Sequence, residues 1–195
     1  GLLWASYTAE LGRFQTNFSA KLGQTNMRRH GYMRNGMAAD NSYGNSGIAR
    51  FGEGGAKGSI SFDAGRGHTF KIGVGYEWRP PMANTAFIAP EICNDYVANL
   101  KDEHVFSSEF SYQFQNSWLH ANLNAYYSRL DHVTEWQCFY NDDENSFTYV
   151  SMTGLKKEYY GVEAGLDFKL TSWLNFKSIG SICEAKNLNN VTAVY

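Results

Sequence analysis

The chain has 195 residues with a formal net charge of −2, 16% aromatic side chains, 3 prolines and 3 cysteines. That balance argues against a nucleic-acid binder, which would carry a basic face. The scattered Cys93, Cys138 and Cys183 argue against a disulfide scaffold or zinc site, and no run nears the ~18 apolar residues of a transmembrane helix.

Taken in chain order, the period-2 segments fall into four pairs. Residues 3–11 and 14–27 meet at Gly12-Arg13; residues 55–64 and 68–78 meet at Gly65-Arg66-Gly67. Residues 104–114 and 118–129 meet at Gln115-Asn116-Ser117, and residues 159–170 and 173–183 meet at Thr171-Ser172. Gly and Asn at such joints are expected to supply the positive φ that tight hairpins need. Between pairs, long loops are expected over residues 28–54, 79–103 and 130–158. The first opens on the basic cluster Arg28-Arg29-His30, read as a solvated loop, and the second holds all three prolines. Loops longer than ~15 residues are uncommon in compact domains and are usually functional. Cys93 and Cys138 both fall in long loops, which leaves one bridge open between them.

Alternation within the strands is sharp. In residues 118–127, Leu119, Ala121, Leu123, Ala125 and Tyr127 share one face, and His120, Asn122, Asn124 and Tyr126 share the other. Three rows carry no charge: Phe70, Ile72, Val74, Tyr76 and Trp78; Phe106, Ser108, Phe110, Tyr112 and Phe114; Val162, Ala164, Leu166 and Phe168. A charge at a bilayer midplane costs ~2–4 kcal/mol, so charge-free rows suit lipid. Trp78, Trp118 and Trp173 stand near strand ends, where interfacial aromatic belts belong. The opposite faces carry Lys71, Glu77, Glu109, His120, Asn122, Asn124, Glu163 and Asp167, the expected lumen-facing polar residues. The fold expected is all-β: an antiparallel, up-and-down transmembrane β-barrel segment of about eight strands, with short turns on one side and long loops on the other.

Motifs for small-molecule chemistry are weak. Residues 52–59 are glycine-rich but lack the Gly-Lys-Ser/Thr of a phosphate loop, and Gly73-Val74-Gly75 lacks a third glycine. The acidic run Asn141-Asp142-Asp143-Glu144-Asn145 offers oxygen ligands without the twelve-residue calcium-loop pattern and is read as a solvated tip. No nucleophile has the sequence context of a triad, so neither an enzyme, a cofactor nor a metal is expected. The better functional signal is the aromatic set Trp136, Phe139, Tyr140, Phe147 and Tyr149 in the third loop, whose flat faces suit a ligand.

The runs Val105-Phe106-Ser107-Ser108-Glu109-Phe110-Ser111-Tyr112, Ala121-Asn122-Leu123-Asn124-Ala125-Tyr126-Tyr127 and Tyr160-Gly161-Val162-Glu163 resemble barrel strands of TonB-dependent outer-membrane receptors. The similarity is nearest to those of Bacteroidetes-type bacteria, and extends over most of the chain from about Gly54. It implies a bacterial outer-membrane location and a 22-stranded barrel plugged by an N-terminal domain. It also implies import of a nutrient (iron chelate, vitamin or oligosaccharide) with energy transmitted by TonB. The partners implied are outer-membrane lipid, the nutrient, and TonB and a plug domain through other parts of a longer chain. No plug is visible, the chain opens on Gly1, and it closes in a strand-like run, as expected of an internal barrel fragment. Two other readings stay open: a self-contained eight-stranded outer-membrane barrel of adhesive or structural role, and a soluble β-sandwich that binds carbohydrate.

Overall fold

Short turns and period-2 sequences produce neighbour-to-neighbour hairpins. The computed structural model describes residues 1–28, 32–34, 37–39, 48–82, 85, 100–142 and 145–190. Its strands are β1 (Leu2–Leu11), β2 (Phe14–Arg28), β3 (Tyr32–Arg34), β4 (Met37–Ala39), β5 (Ile48–Gly65), β6 (His68–Arg79), β7 (Glu103–Gln115), β8 (Leu119–Asn141), β9 (Ser146–Lys169) and β10 (Asn175–Asn187). Eight of them form one sheet in the order β1-β2-β5-β6-β7-β8-β9-β10, and β3 and β4 pair separately. Every pairing is antiparallel, so the sheet is an up-and-down meander.

The tight joints use two kinds of chemistry. At the β5–β6 turn, Gly65, Arg66 and Gly67 have φ of 83°, 55° and 85°. A Cβ on Gly67 would sit 1.8 Å from the Gln115 carbonyl oxygen, so only glycine fits. Asn116, expected to supply positive φ, does not. Its Oδ1 instead accepts the backbone N–H of Trp118 (2.9 Å) and Leu119 (2.7 Å), a side-chain mimic of a turn. Thr171 Oγ1 does the same for Trp173 (3.3 Å) and Leu174 (3.0 Å). Trp118 and Trp173 therefore lie in the turns, ahead of the first residues of β8 and β10.

Register makes each face continuous. The line Ala9, Thr16, Ile60, Ile72, Phe110, Ala125, Val162, Ile182 crosses all eight strands. One residue away, on the other face, runs Thr8, Asn17, Ser59, Gly73, Glu109, Tyr126, Gly161, Cys183. The apolar line is uncovered: Ile60 is 55% exposed and Ile72 60%. Among the described residues the buried apolar side chains of the strands are few, Phe51, Val133 and Leu155, and no second layer of described residues covers that face, so the sandwich reading lacks its facing sheet among them.

The third expected loop is the main correction. Residues 130–158 are mostly strand: β8 runs 23 residues and β9 runs 24, and they form one long hairpin. Val133, Thr134, Trp136, Phe139, Tyr140, Phe147, Thr148, Tyr149 and Val150 favour strand, as β-branched and aromatic residues do. Register shifts between Leu130 and Val133 and between Val133 and Glu135 break the alternation that would have revealed it. His132 sits at the first shift with φ 60°. In the first expected loop, β5 already begins at Ile48 and β3 and β4 form a small hairpin. Arg29 and His30 lie outside the described residues. Cys138 and Cys183 are free thiols; Cys93, the other half of the bridge left open above, lies outside the described residues.

Candidate functional site

The polar face is organised by pairs of charges on adjacent strands or, for Lys21 and Glu77, on strands with β5 between them. Glu77 of β6 accepts from Lys21 Nζ of β2 at 3.0 Å and Lys57 Nζ of β5 at 2.7 Å. Lys71 of β6 meets Glu109 of β7 at 2.6 Å, and Lys177 of β10 meets Asp167 of β9 at 3.1 Å. His120 Nε2 lies 2.7 Å from Gln113 Nε2. Asn124 and Glu163 are register partners, and the Asn122 side chain lies across Gly165, where an added Cβ would be 2.3 Å from its Oδ1. These pairs are partly wet and each contributes ~0–1 kcal/mol, so they arrange charge more than they stabilise the fold.

Between them the face is lined by small groups. Ser19, Ser59, Gly73, Gly75, Ser107 and Ser128 border a concavity of about 520 Å³ that spans several strands and is flanked by Lys57, Lys71 and Glu109. Such a surface can hydrogen-bond a polar molecule and leave room for it to move.

The aromatic residues expected in a loop stand on the far part of the β8–β9 hairpin. Tyr140 and Phe147 are register partners whose rings meet edge-on at 5.3 Å, 51% and 65% exposed. Tyr140 OH donates to Asn145 Oδ1, and Asn145 has φ 49°, which closes the tip. Trp136 is register partner of Ser151 and half-buried; Tyr149 pairs with Cys138 and Phe139 with Thr148. Positions 136, 138 and 140 therefore share the phase of 147, 149 and 151, and Phe139 falls in the opposite phase. Asp143 and Glu144 of the acidic run lie outside the described residues.

Sequence reasoning missed the base of this hairpin. Glu103, 4% exposed, accepts from Arg79 Nε at 3.1 Å and from the Thr134 N–H at 3.2 Å. It clamps β6, β7 and β8 where the bulge begins. Lys21 and Lys57 were also missed, although both sit at the polar phase of their strands and period alone could have found them.

The apolar face ends in aromatic and polar belts. At one end Tyr76 OH lies 2.7 Å from His104 Nδ1, Tyr127 OH donates to Glu158 at 2.8 Å and Tyr160 OH donates to Glu184 at 2.6 Å. At the other, Trp118 stacks on Phe168 at 6.1 Å, Phe168 meets Phe176 at 6.4 Å, and His68 packs on Phe114 at 4.7 Å.

Comparison with known proteins agrees with this geometry. The sequence matches the family described as "TonB dependent receptor-like, beta-barrel" over residues 3–191. The fold is similar to a solved structure titled "Copper transporter OprC", with a TM-score of 0.81 at 16% identity. The match covers 95% of this chain and 30% of that one, and at this identity it concerns the fold alone. No curated protein sequence matches.

Proposed function

Because the chain belongs to the TonB-dependent receptor β-barrel family, we propose that it forms part of an outer-membrane barrel that captures a nutrient at its rim and passes it inward. The apolar face meets lipid and the polar face lines the lumen. The observation that carries this reading is the register-continuous split between the two faces across all eight strands. β1 and β10 each pair on one side only among the described residues. That favours a larger barrel completed by further strands over a self-contained eight-stranded one. A plug domain and TonB act through other parts of that larger protein.

In this reading the exposed Tyr140–Phe147 pair, with Trp136 in the same phase, presents aromatic surface at the outer rim. The nutrient then moves along Lys71, Glu77, Glu109, His120, Asn122, Asn124, Glu163 and Asp167 of the lumen wall. An iron chelate, a vitamin or an oligosaccharide fits polar walls with aromatic capture surfaces. Copper, the cargo named in the structural neighbour's title, finds no cluster of three His, Cys, Asp or Glu ligands among the described residues.

The test uses the full-length protein that carries this chain, with residues 139–147 replaced by a two-residue Asn-Gly turn. Binding and uptake of a ferric siderophore, cobalamin and an oligosaccharide are measured against the parent. Loss of binding and uptake of one of them, with the barrel still assembled, is expected. Unchanged binding and uptake of whichever nutrient the parent takes up would overturn the capture role.

A further inference from the structure

On the lipid side, just beyond the belt, the structure holds a second polar concavity. It encloses about 320 Å³ and is lined by Arg50, Phe51, Lys101, Asp102, His104 and His132, among others. Its level is set by register: Gly54, Trp78 and His104 share one line of the apolar face, and Arg50 lies further along β5 beyond Gly54. His104 is tied to the belt through the Tyr76 hydroxyl at 2.7 Å. His132, turned by the bulge to φ 60°, packs edge-on against His104 at 5.4 Å between ring centres. This backbone conformation is uncommon for a residue with a side chain.

The chemistry of the concavity is unfinished. Asp102 Oδ1 and His132 Nδ1 are buried and have no hydrogen-bond partner. Buried acceptors of this kind are normally satisfied. Arg50 and Lys101 are exposed and enter no ion pair among the described residues. No three-ligand metal cluster is present there among the described residues. The occupant that fits the open side of the concavity therefore offers an anion to Arg50 and Lys101, at the height where lipid headgroups lie.

We infer that this concavity binds the phosphorylated headgroup of an outer-leaflet lipid. The phosphate lies against the exposed Arg50 and Lys101. Further down the same face, Gly58 opens an apolar groove of about 600 Å³ between Phe62, Phe70, Ile72 and Val74. Gly58 is four residues from Gly54, or about 13 Å at strand rise, a separation that an acyl chain hanging from the headgroup would cover. The inference rests on the reading of the apolar face as lipid-facing.

The test reconstitutes the full-length protein in phosphatidylcholine nanodiscs doped with a bis-phosphorylated glucosamine lipid, and counts retained lipid by native mass spectrometry. Retention is expected to fall about tenfold in Arg50→Gln/Lys101→Gln, and likewise for the parent offered the dephosphorylated lipid. Both substituted residues are exposed, and heat-modifiable gel migration verifies assembly of the variant. Equal retention by parent and variant, or equal retention of the dephosphorylated lipid, would overturn the inference. So would binding of inorganic phosphate alone at the same concentration, which would assign the site to the free anion. A protein that inserts into the nanodisc but retains no lipid defeats only this inference. One that stays soluble without detergent defeats the barrel reading with it.

Discussion

At the residue scale, the most consequential side chain is one that looked ordinary in the sequence. Glu103 satisfies the Thr134 N–H and meets Arg79 while almost fully buried. Arg79 is half exposed, so the ion pair is screened and adds little by itself. The loss in Glu103→Ala is that of a partner for a buried backbone donor, about 2 kcal/mol. Urea unfolding of the full-length protein in detergent should show it as a lower midpoint, and Glu103→Gln, which keeps an acceptor, should recover part of it. Asp102 makes the opposite prediction for pH. Burial pushes its carboxyl above the ordinary range, and the nearby His104 offsets this only partly. The folded state thus holds the proton more tightly than the unfolded chain, and ionising Asp102 subtracts stability as pH rises from the unfolded value through the folded one. Asp102→Asn should remove that decline without lipid present; an unchanged pH profile of unfolding would show that Asp102 carries no such burden.

At the element scale, the β8–β9 hairpin separates stability from recognition. Tyr140 and Phe147 pack mainly on one another and on solvent, so Tyr140→Ala/Phe147→Ala should leave the unfolding midpoint within about 0.5 kcal/mol of the parent. The same double variant should weaken nutrient binding by about tenfold or more, since aromatic anchors dominate contact energy. This hairpin also shows where sequence reading stops. Phase along a single strand was legible, and Lys71, Glu109, His120 and Asp167 all sit on the polar side that alternation assigns them. The Lys21–Glu77 pair was not, because its partners are 56 residues apart and meet only once β2 pairs with β5 across the β3–β4 hairpin. Nor was the length of β8 and β9. Two register shifts reset the alternation near Val133, and a reader of period sees a loop where the chain keeps pairing.

At the scale of the whole molecule, a single-layer sheet with an uncovered apolar face is stable only if another medium covers that face. Water would leave Leu22, Ile60, Ile72, Val74 and Ile182 exposed together across the strands, far beyond the scattered apolar residues a soluble surface tolerates. Lipid resolves that, and the belts of Tyr76, Trp78, Tyr127 and Tyr160 at one end and Trp118 and Phe168 at the other fit its two interfaces. Ile72→Arg in the full-length protein should cost ~2–4 kcal/mol in a bilayer. Ser59→Arg on the polar face should change stability by less than about 1 kcal/mol. Equal penalties in equilibrium unfolding from liposomes would mean that the two faces see the same surroundings. The most direct measurement of the central claim is spin-label accessibility along β6 in that protein, with its native cysteines replaced and reconstituted in liposomes. Labels at Phe70, Ile72, Val74 and Tyr76 should relax with oxygen dissolved in lipid, and labels at Lys71, Gly73, Gly75 and Glu77 with a water-soluble nickel chelate, alternating residue by residue. Chelate access at both sets, with no alternation, would contradict a lipid-facing sheet with a polar lumen.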